Sequence, residues 1–477
     1  MRFLACGVLV ALAACTSPNP KSCLDGSCTD PRYPFCDENG VIADEPKTCV
    51  AVSCTAGDIA ECRGDVAVTC NASGDNFDLI QCPRGCDATG CRVCASNDDC
   101  TTPTAPLCDL STNACHACVA NDDCASGVCN ADGSCEAASN VVIALPTGAP
   151  TGECTLAAPC SLPHAIELVT AVPTRVMRML PGTYTDPFKF AQTTGAMVRV
   201  IAPGAILGAT SEFVVSGGAK VHVEDLESRI ATTTTSTGAL CSSSTLELLR
   251  VKLHSTGYGE ALRITMSVAT LDQVDIDVGS NYPIISGPSS VIIVDRTRIR
   301  SSISGFCLWN TLGTSQNIRV TNSIFDNCSP TFNSNDTADT VSQFRFAFNT
   351  FVFRDTMQFE CPGTADSGKK IIRVENNVIV ALATQPSAVL YPQTCGPFGD
   401  NLMNKMDHNL IYPFTGAVGT NVVMDPKFVS SATSDFHIQA TSPARDAAVP
   451  SSDLTTNHDY DGMARTGMLD IGAYEVQ

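Results

Sequence analysis

Two sets of side chains recur at an interval that could bring them together for chemistry. Asp272 and Asp295 hold the same position in two neighbouring, similar segments, and Arg250 and Arg296 stand one residue further on in theirs. Carboxylates about 5 Å apart can share a proton, hold Ca²⁺, or serve as acid and nucleophile of a retaining glycosidase. The second set is Arg319, Arg345 and Arg373, flanked by Ile318/Val320, Phe344/Phe346 and Ile372/Val374. Three solvated guanidiniums in file repel by only about 1 kcal/mol per neighbour. They would form a track for carboxylates or sulfates along a polymer, because Arg grips planar oxyanions through two parallel hydrogen bonds. Glu375 and Asp336 are the nearby acids that could pair these arginines instead.

What must position them is a repeat. Segments 246–254, 269–277, 292–300, 318–326, 344–352 and 372–380 align, starting 23, 23, 26, 26 and 28 residues apart, and Leu253, Ile276, Ile299, Phe325, Phe351 and Ile379 close equivalent positions. Alternation with period two marks strands, and each repeat is too short to bury an apolar face alone, so coils must stack and share a core. Val198-Arg199-Val200 and Val221-His222-Val223 extend the series upstream. The fold class is therefore all-β. These residues resemble a right-handed parallel β-helix of the pectate-lyase-like superfamily over roughly 140–477. The resemblance implies acidic polysaccharide as substrate class and a metal-dependent lyase with an Arg base as alternative chemistry. No NTD-type, GHG-type or Arg-x-Pro-x-x-Arg motif of its enzymes is present.

A capping helix is expected at 161–169, with Ser161 as N-cap, Pro163 in the first turn, and Leu162, Ala165, Ile166 and Val169 on one face. Cys154 with Cys160, Cys307 with Cys328, and Cys361 with Cys395 are disulfide candidates, which leaves Cys241 unpaired. The cluster Asp425-Pro426-Lys427-Phe428, Asp435-Phe436-His437-Ile438, Asp461-Gly462, Arg465 and Asp470-Ile471-Gly472-Ala473-Tyr474-Glu475 resembles the closing motif of choice-of-anchor Q domains. It is expected to tie an irregular last coil over the end of the core, leaving ligand roles for Asp459, Asp461 and Asp470 as the alternative.

The chain begins with Arg2, an apolar stretch 3–14, and Cys15 after Leu12-Ala13-Ala14. That stretch is shorter than the roughly 20 residues a spanning helix needs and reads as a signal peptide. It resembles a bacterial lipobox, which implies lipidation of Cys15, and Thr16 in place of Asp implies an outer-membrane destination, periplasmic or surface-facing. A linker, 15–22, leads to an acidic region, 23–136, with 18 cysteines. An even count in an exported, core-poor segment argues for disulfides. Cys94-Ala-Ser-Asn-Asp-Asp-Cys100 and Cys118-Val-Ala-Asn-Asp-Asp-Cys124 are tandem modules. The doublets Cys91/Cys94 and Cys115/Cys118 have zinc-site spacing, but an oxidising compartment favours disulfides, so no metal is assigned; Asp98-Asp99 and Asp122-Asp123 are turn acids with calcium as the alternative.

Residues 23–135 carry 18 Asp and Glu against 5 Lys and Arg, most of the formal −20 of the whole chain. Such a field repels nucleic acid. The outward columns Lys252/Asp275/Arg298 and His254/Asp277/Arg300/Asp326 alternate in sign and neutralise themselves. Asn322, Asn349, Asn376, Asn377 and Asp407-His408-Asn409 read as turn residues able to stack amides. Trp309 is the only tryptophan, which weakens any aromatic sugar platform. The expectation is an exported, lipid-anchored, monomeric β-helix protein without cofactor, save Ca²⁺, acting as a non-catalytic module on polysaccharide or matrix. The alternatives are a lyase or glycoside hydrolase using Asp272/Asp295, and a structural or adhesive protein with a protein partner.

Overall fold

The computed structural model describes residues 21–51, 55–74, 76–172, 174–192, 195–231, 237–255, 259–279, 282–310, 315–333, 341–353, 357–360, 371–382, 390–393, 404–413, 420–450 and 456–476. Two compact units divide the chain, Met1–Glu136 and Ala137–Gln477. Cys15, Cys361, Cys395 and Asp336 lie outside the described residues.

The first unit is made of short antiparallel pairings and a three-stranded sheet, Ile59–Arg63, Val66–Cys70 and Phe77–Gln81. With so little core, disulfides supply the restraint: Cys23–Cys36, Cys28–Cys49, Cys62–Cys86, Cys82–Cys91, Cys94–Cys108, Cys100–Cys115, Cys118–Cys129 and Cys124–Cys135. The tandem modules share one first-to-third, second-to-fourth pattern. The zinc-spaced doublets are consumed in these bonds. In each module the Asn-Asp-Asp triplet organises backbone: Asn97 Oδ1 accepts from Cys108 N and Asn121 Oδ1 from Cys129 N. Asp99 Oδ2 accepts from Ala95 and Ser96, and Asp123 Oδ2 from Val119 and Ala120. Both carboxylates thus organise their own turns. Disulfides on this scale mark an exported or extracellular protein, and no helix among the described residues is long and apolar enough to cross a membrane.

The second unit is a parallel β-helix. An eleven-stranded sheet takes one strand from each coil, and a seventeen-stranded sheet takes the other two. Leu253, Ile276, Ile299, Phe325, Phe351 and Ile379 pair in register from coil to coil and continue to Ile411, all at most 2% exposed. Helix α1, Leu162–Ala171, buries Leu162, Ala165, Ile166 and Val169 against the first coils. Ser161 holds the N-cap backbone position without a side-chain hydrogen bond. Cys154–Cys160 and Cys307–Cys328 are bonded, while Cys241 is a free thiol in the core, which burial pushes up to about 11 and keeps protonated.

From the strand Lys220–Glu224 onward, each coil leaves the eleven-stranded sheet through one left-handed residue: Asp225, Arg250, Gln273, Arg296, Asn322, Phe348, Asn376 and His408, all with φ between 44° and 60°. L-residues disfavour that conformation, and only Asp and Asn take it readily. The next residue compensates from inside. Val274 N donates to Thr297 Oγ1, Thr297 N to Ser323 Oγ, Ser323 N to Asn349 Oδ1, Asn349 N to Asn377 Oδ1, Asn377 N to Asn409 Oδ1 and Asn409 N to Asn421 Oδ1. The asparagine amides also bond coil to coil, and Asn377 Nδ2 reaches Phe346 O and Glu375 O. Thus Asn349, Asn377 and Asn409 form the amide stack, whereas Asn322 and Asn376 face outward from the left-handed corner.

Residues 425–476 overturn the expectation of a lid over the last coil. Phe436, Ile438, Ala444, Ile471, Ala473 and Tyr474 pack sideways on Ile324, Val352, Val378, Val380 and Leu410, outward residues of the seventeen-stranded sheet. The charged outward columns stop where this cover begins: Arg298 is followed in register by Ile324, Thr350, Val378 and Leu410. Asn377→Leu leaves several buried ladder groups unpaired and is expected to destabilise the β-helix by about 2–4 kcal/mol. Urea unfolding of the two proteins measures this, with the exposed Lys252→Gln as a control expected to stay close to wild type.

Candidate functional site

The outward face of the eleven-stranded sheet carries the chemistry-bearing residues in two adjacent columns. One runs Arg199, His222, Glu247, Thr270, Ile293, Arg319, Arg345, Arg373 and Lys405; the other runs Glu224, Leu249, Asp272, Asp295, Thr321, Ala347, Glu375 and Asp407. Parallel pairing spaces successive members by about 4.8 Å. The two columns differ in where they neutralise each other, and that divides the face into three zones.

In the first zone charges are fully matched. Glu224 accepts from Arg199 Nε at 2.7 Å and lies 3.2 Å from Arg250 Nη2 and from His222 Nε2, while His222 Nδ1 is 2.9 Å from Glu247. Burial opposes ionisation of Glu224, but His222 and Arg199 outweigh it and hold the carboxyl at about 2. Burial also works against a charged His222, and its hydrogen bonds to Glu224 and Glu247 prevail, so its pKa is raised. Arg250 grips Asp225 at 2.6 and 3.0 Å, so it turns away from Asp272. Sequence reasoning missed this cluster, although the Arg199, His222 and Glu247 column was within reach of the same alignment.

The second zone corrects the expectation of an uncompensated carboxylate pair. Asp272 and Asp295 do pair in register, but Arg296 binds Asp272 through two bonds of 2.9 and 2.6 Å and lies 3.5 Å from Asp295. Asp295 Oδ1 accepts from Thr321 Oγ1 and Asn322 Nδ2, and its Oδ2 is 2.7 Å from His458 Nε2. All four oxygens are engaged, and Asp295 ties the C-terminal segment to this face through His458. Beside it Arg465, with its side chain fully buried, donates to Asn322 Oδ1, Gly472 O and Glu475 Oε2 and lies over the Phe348 ring. Asp459 and Asp470 accept backbone N–H groups of that segment. Asp461 meets His437, itself held by Asp435 and stacked on Tyr474. Burial disfavours the charged imidazole, but the two carboxylates raise its pKa.

In the third zone Arg319, Arg345, Arg373 and Lys405 stand in successive coils. Lys405 is bound by Asp407 at 3.1 Å and Glu375 at 3.3 Å. Beside Arg319 and Arg345, however, the neighbouring column supplies Thr321 and Ala347, and no ion pair reaches either arginine among the described residues. The buried Nε of Arg345 finds no hydrogen-bond acceptor. All three guanidiniums are half-buried on their stems. Elsewhere, a groove of about 620 Å³ between Val380, Leu382, Tyr412, Pro413 and Phe428 is largely apolar, and Lys427, the one cation lining it among the described residues, is tied to Thr441 O.

No protein-family model and no curated protein matches the chain. Among solved structures, the chain is similar to the crystal structure of pectate lyase Pel9A, at 16% identity and a TM-score of 0.40, covering 71% of this chain and 96% of that one.

Two outcomes test the anchoring of the C-terminal segment. Arg465→Leu leaves Glu475 buried and unpaired and is expected to cost about 3–5 kcal/mol in urea unfolding; pairing it with Glu475→Leu should restore much of the loss. Raised pKa values at His222 and His437 make their stabilisation complete below the ordinary histidine value of about 6.5 and lost as pH rises through the raised values. The urea midpoint is therefore expected to fall between about pH 6 and pH 8, and a His222→Gln, His437→Gln double variant should flatten that decline.

Proposed function

We propose that this chain is an exported, surface-displayed protein whose β-helix is a non-catalytic module for acidic polysaccharide. The observation that carries the reading is the column Arg319, Arg345 and Arg373, where the adjacent column withholds acids from the first two arginines. Stacked planar forks spaced by the strand repeat suit carboxylates or sulfates along an extended polymer. No cofactor enters this reading. The engaged oxygens of Asp272 and Asp295 support a binding rather than a hydrolytic role. The short apolar leader and Cys15 support anchoring by lipid, with the acidic, disulfide-bonded region 23–136 as spacer and its charge as a repellent to nucleic acid.

Arg319→Ala, Arg345→Ala and Arg373→Ala together should bring elution from an immobilised uronic or sulfated polysaccharide to clearly lower salt, since exposed charge contacts are screened. Unchanged retention, with an unchanged melting curve, removes the proposal. Cys15→Ala should shift the protein from the membrane fraction to the soluble one and abolish labelling by palmitate.

A further inference from the structure

The only tryptophan in the chain is not in the core. Trp309 lies half-buried on the third strand face of the β-helix with Tyr282 and Phe306, also half-buried. Their ring centroids are 4.7 Å (Tyr282–Trp309), 5.9 Å (Tyr282–Phe306) and 6.5 Å (Phe306–Trp309), with planes within 29° of one another. Many of the large aromatic rings of the β-helix are spent on the interior: Tyr184, Phe188, Phe190, Phe325, Phe346 and Phe351 are among those fully buried. Each ring carries a large apolar area, so leaving three nearly parallel rings half-wetted together forfeits burial that those rings obtain.

The polar surroundings of the rings narrow what could cover them. In register along this face run Arg263, Ile285, Trp309 and Thr331. Arg263 is neutralised by Glu260, so among the described residues the patch carries no net charge to attract an ion. Thr331, one coil beyond Trp309 in the same file, is uncharged. Flat apolar rings beside an uncharged polar rim complement a pyranose, which offers a C–H face flanked by equatorial hydroxyls. A protein surface would demand a broader apolar patch, and a nucleic acid base would bring phosphates for which the described residues of the patch offer no unpaired cation.

We propose that Tyr282, Phe306 and Trp309 form a stacking subsite for an uncharged pyranose face of a polysaccharide, distinct from the arginine column. It rests on the polysaccharide reading for the class of polymer, but not on its charge. Because Trp309 is unique in the sequence, tryptophan emission reports this site alone. Titrating the full-length protein with neutral 1,4-linked hexose oligosaccharides and with uronic oligosaccharides should give a saturable emission change with the neutral set. That change should survive high salt, where the Debye length falls to about 3 Å, and should persist in the triple arginine variant. Tyr282→Ala should weaken it about tenfold with an unchanged melting curve. No emission change with either set, or a change that vanishes in the triple arginine variant, overturns the subsite. An intact emission response in a protein whose retention on acidic polysaccharide ignores the arginine substitutions would sink the arginine reading and leave this one standing.

Discussion

Register between coils is the constraint on which everything else in the β-helix depends, and it is fixed at one corner. A left-handed residue ends each of eight successive strands of the eleven-stranded sheet, from Asp225 to His408, and from Val274 onward the residue after it joins a buried ladder that runs to Asn421. A parallel pairing could slide by one residue only by turning its apolar side chains outward and breaking this ladder at once. Two penalties therefore guard the same geometry. Two arginines, a glutamine and a phenylalanine can sit in the left-handed corner, at Arg250, Arg296, Gln273 and Phe348, because the ladder and the core hold the backbone there.

With register fixed, chemistry on the outer face becomes a matter of which residues share a rung. Where both outward columns carry charge, they cancel, as Arg199, His222, Glu224 and Glu247 do. Where an acid is replaced by Thr321 or Ala347, the arginines beside it are left over. The same logic governs the C-terminal segment. Its apolar side chains need a floor, and the outward rungs supply one by exchanging Lys252, Asp275 and Arg298 for Ile324, Val378 and Leu410. Its buried charge, Arg465, is tolerable only because Glu475, three carbonyl groups and Asn322 satisfy it together.

Much of the fold was legible because apolar residues with period two declare a strand and a repeat of 23 to 28 residues declares a stack. Asp272 over Asp295 and the arginine column followed from that alignment alone. What stayed hidden was contact between residues far apart in sequence. His458 lies 163 residues beyond its partner Asp295, and Arg465 lies 143 beyond Asn322. Such distances leave no periodic trace, so the carboxylates looked open. A trace of the cover was nevertheless present: the loss of outward polarity from Ile324 onward is a sequence signal that the exterior there is not exterior. Tyr282 and Phe306 escaped because they stand beyond the nine-residue segments that align, and Trp309 reads as an isolated ring because nothing in the sequence places it beside them.

These placements separate the faces of the solenoid by what they can still bind. The outward residues of the second strand in the later coils are spent on the C-terminal segment. The eleven-stranded face keeps matched charges in its early coils and unmatched cations in its late ones, while the third strand face keeps uncharged aromatic surface. A solenoid permits such a division because substituting an outward residue alters one rung without altering the register that holds its neighbours. Recognition by charge and recognition by stacking respond oppositely to salt, so a polymer bearing both uronic and neutral sugars could be held through two contacts that no single solution condition weakens together.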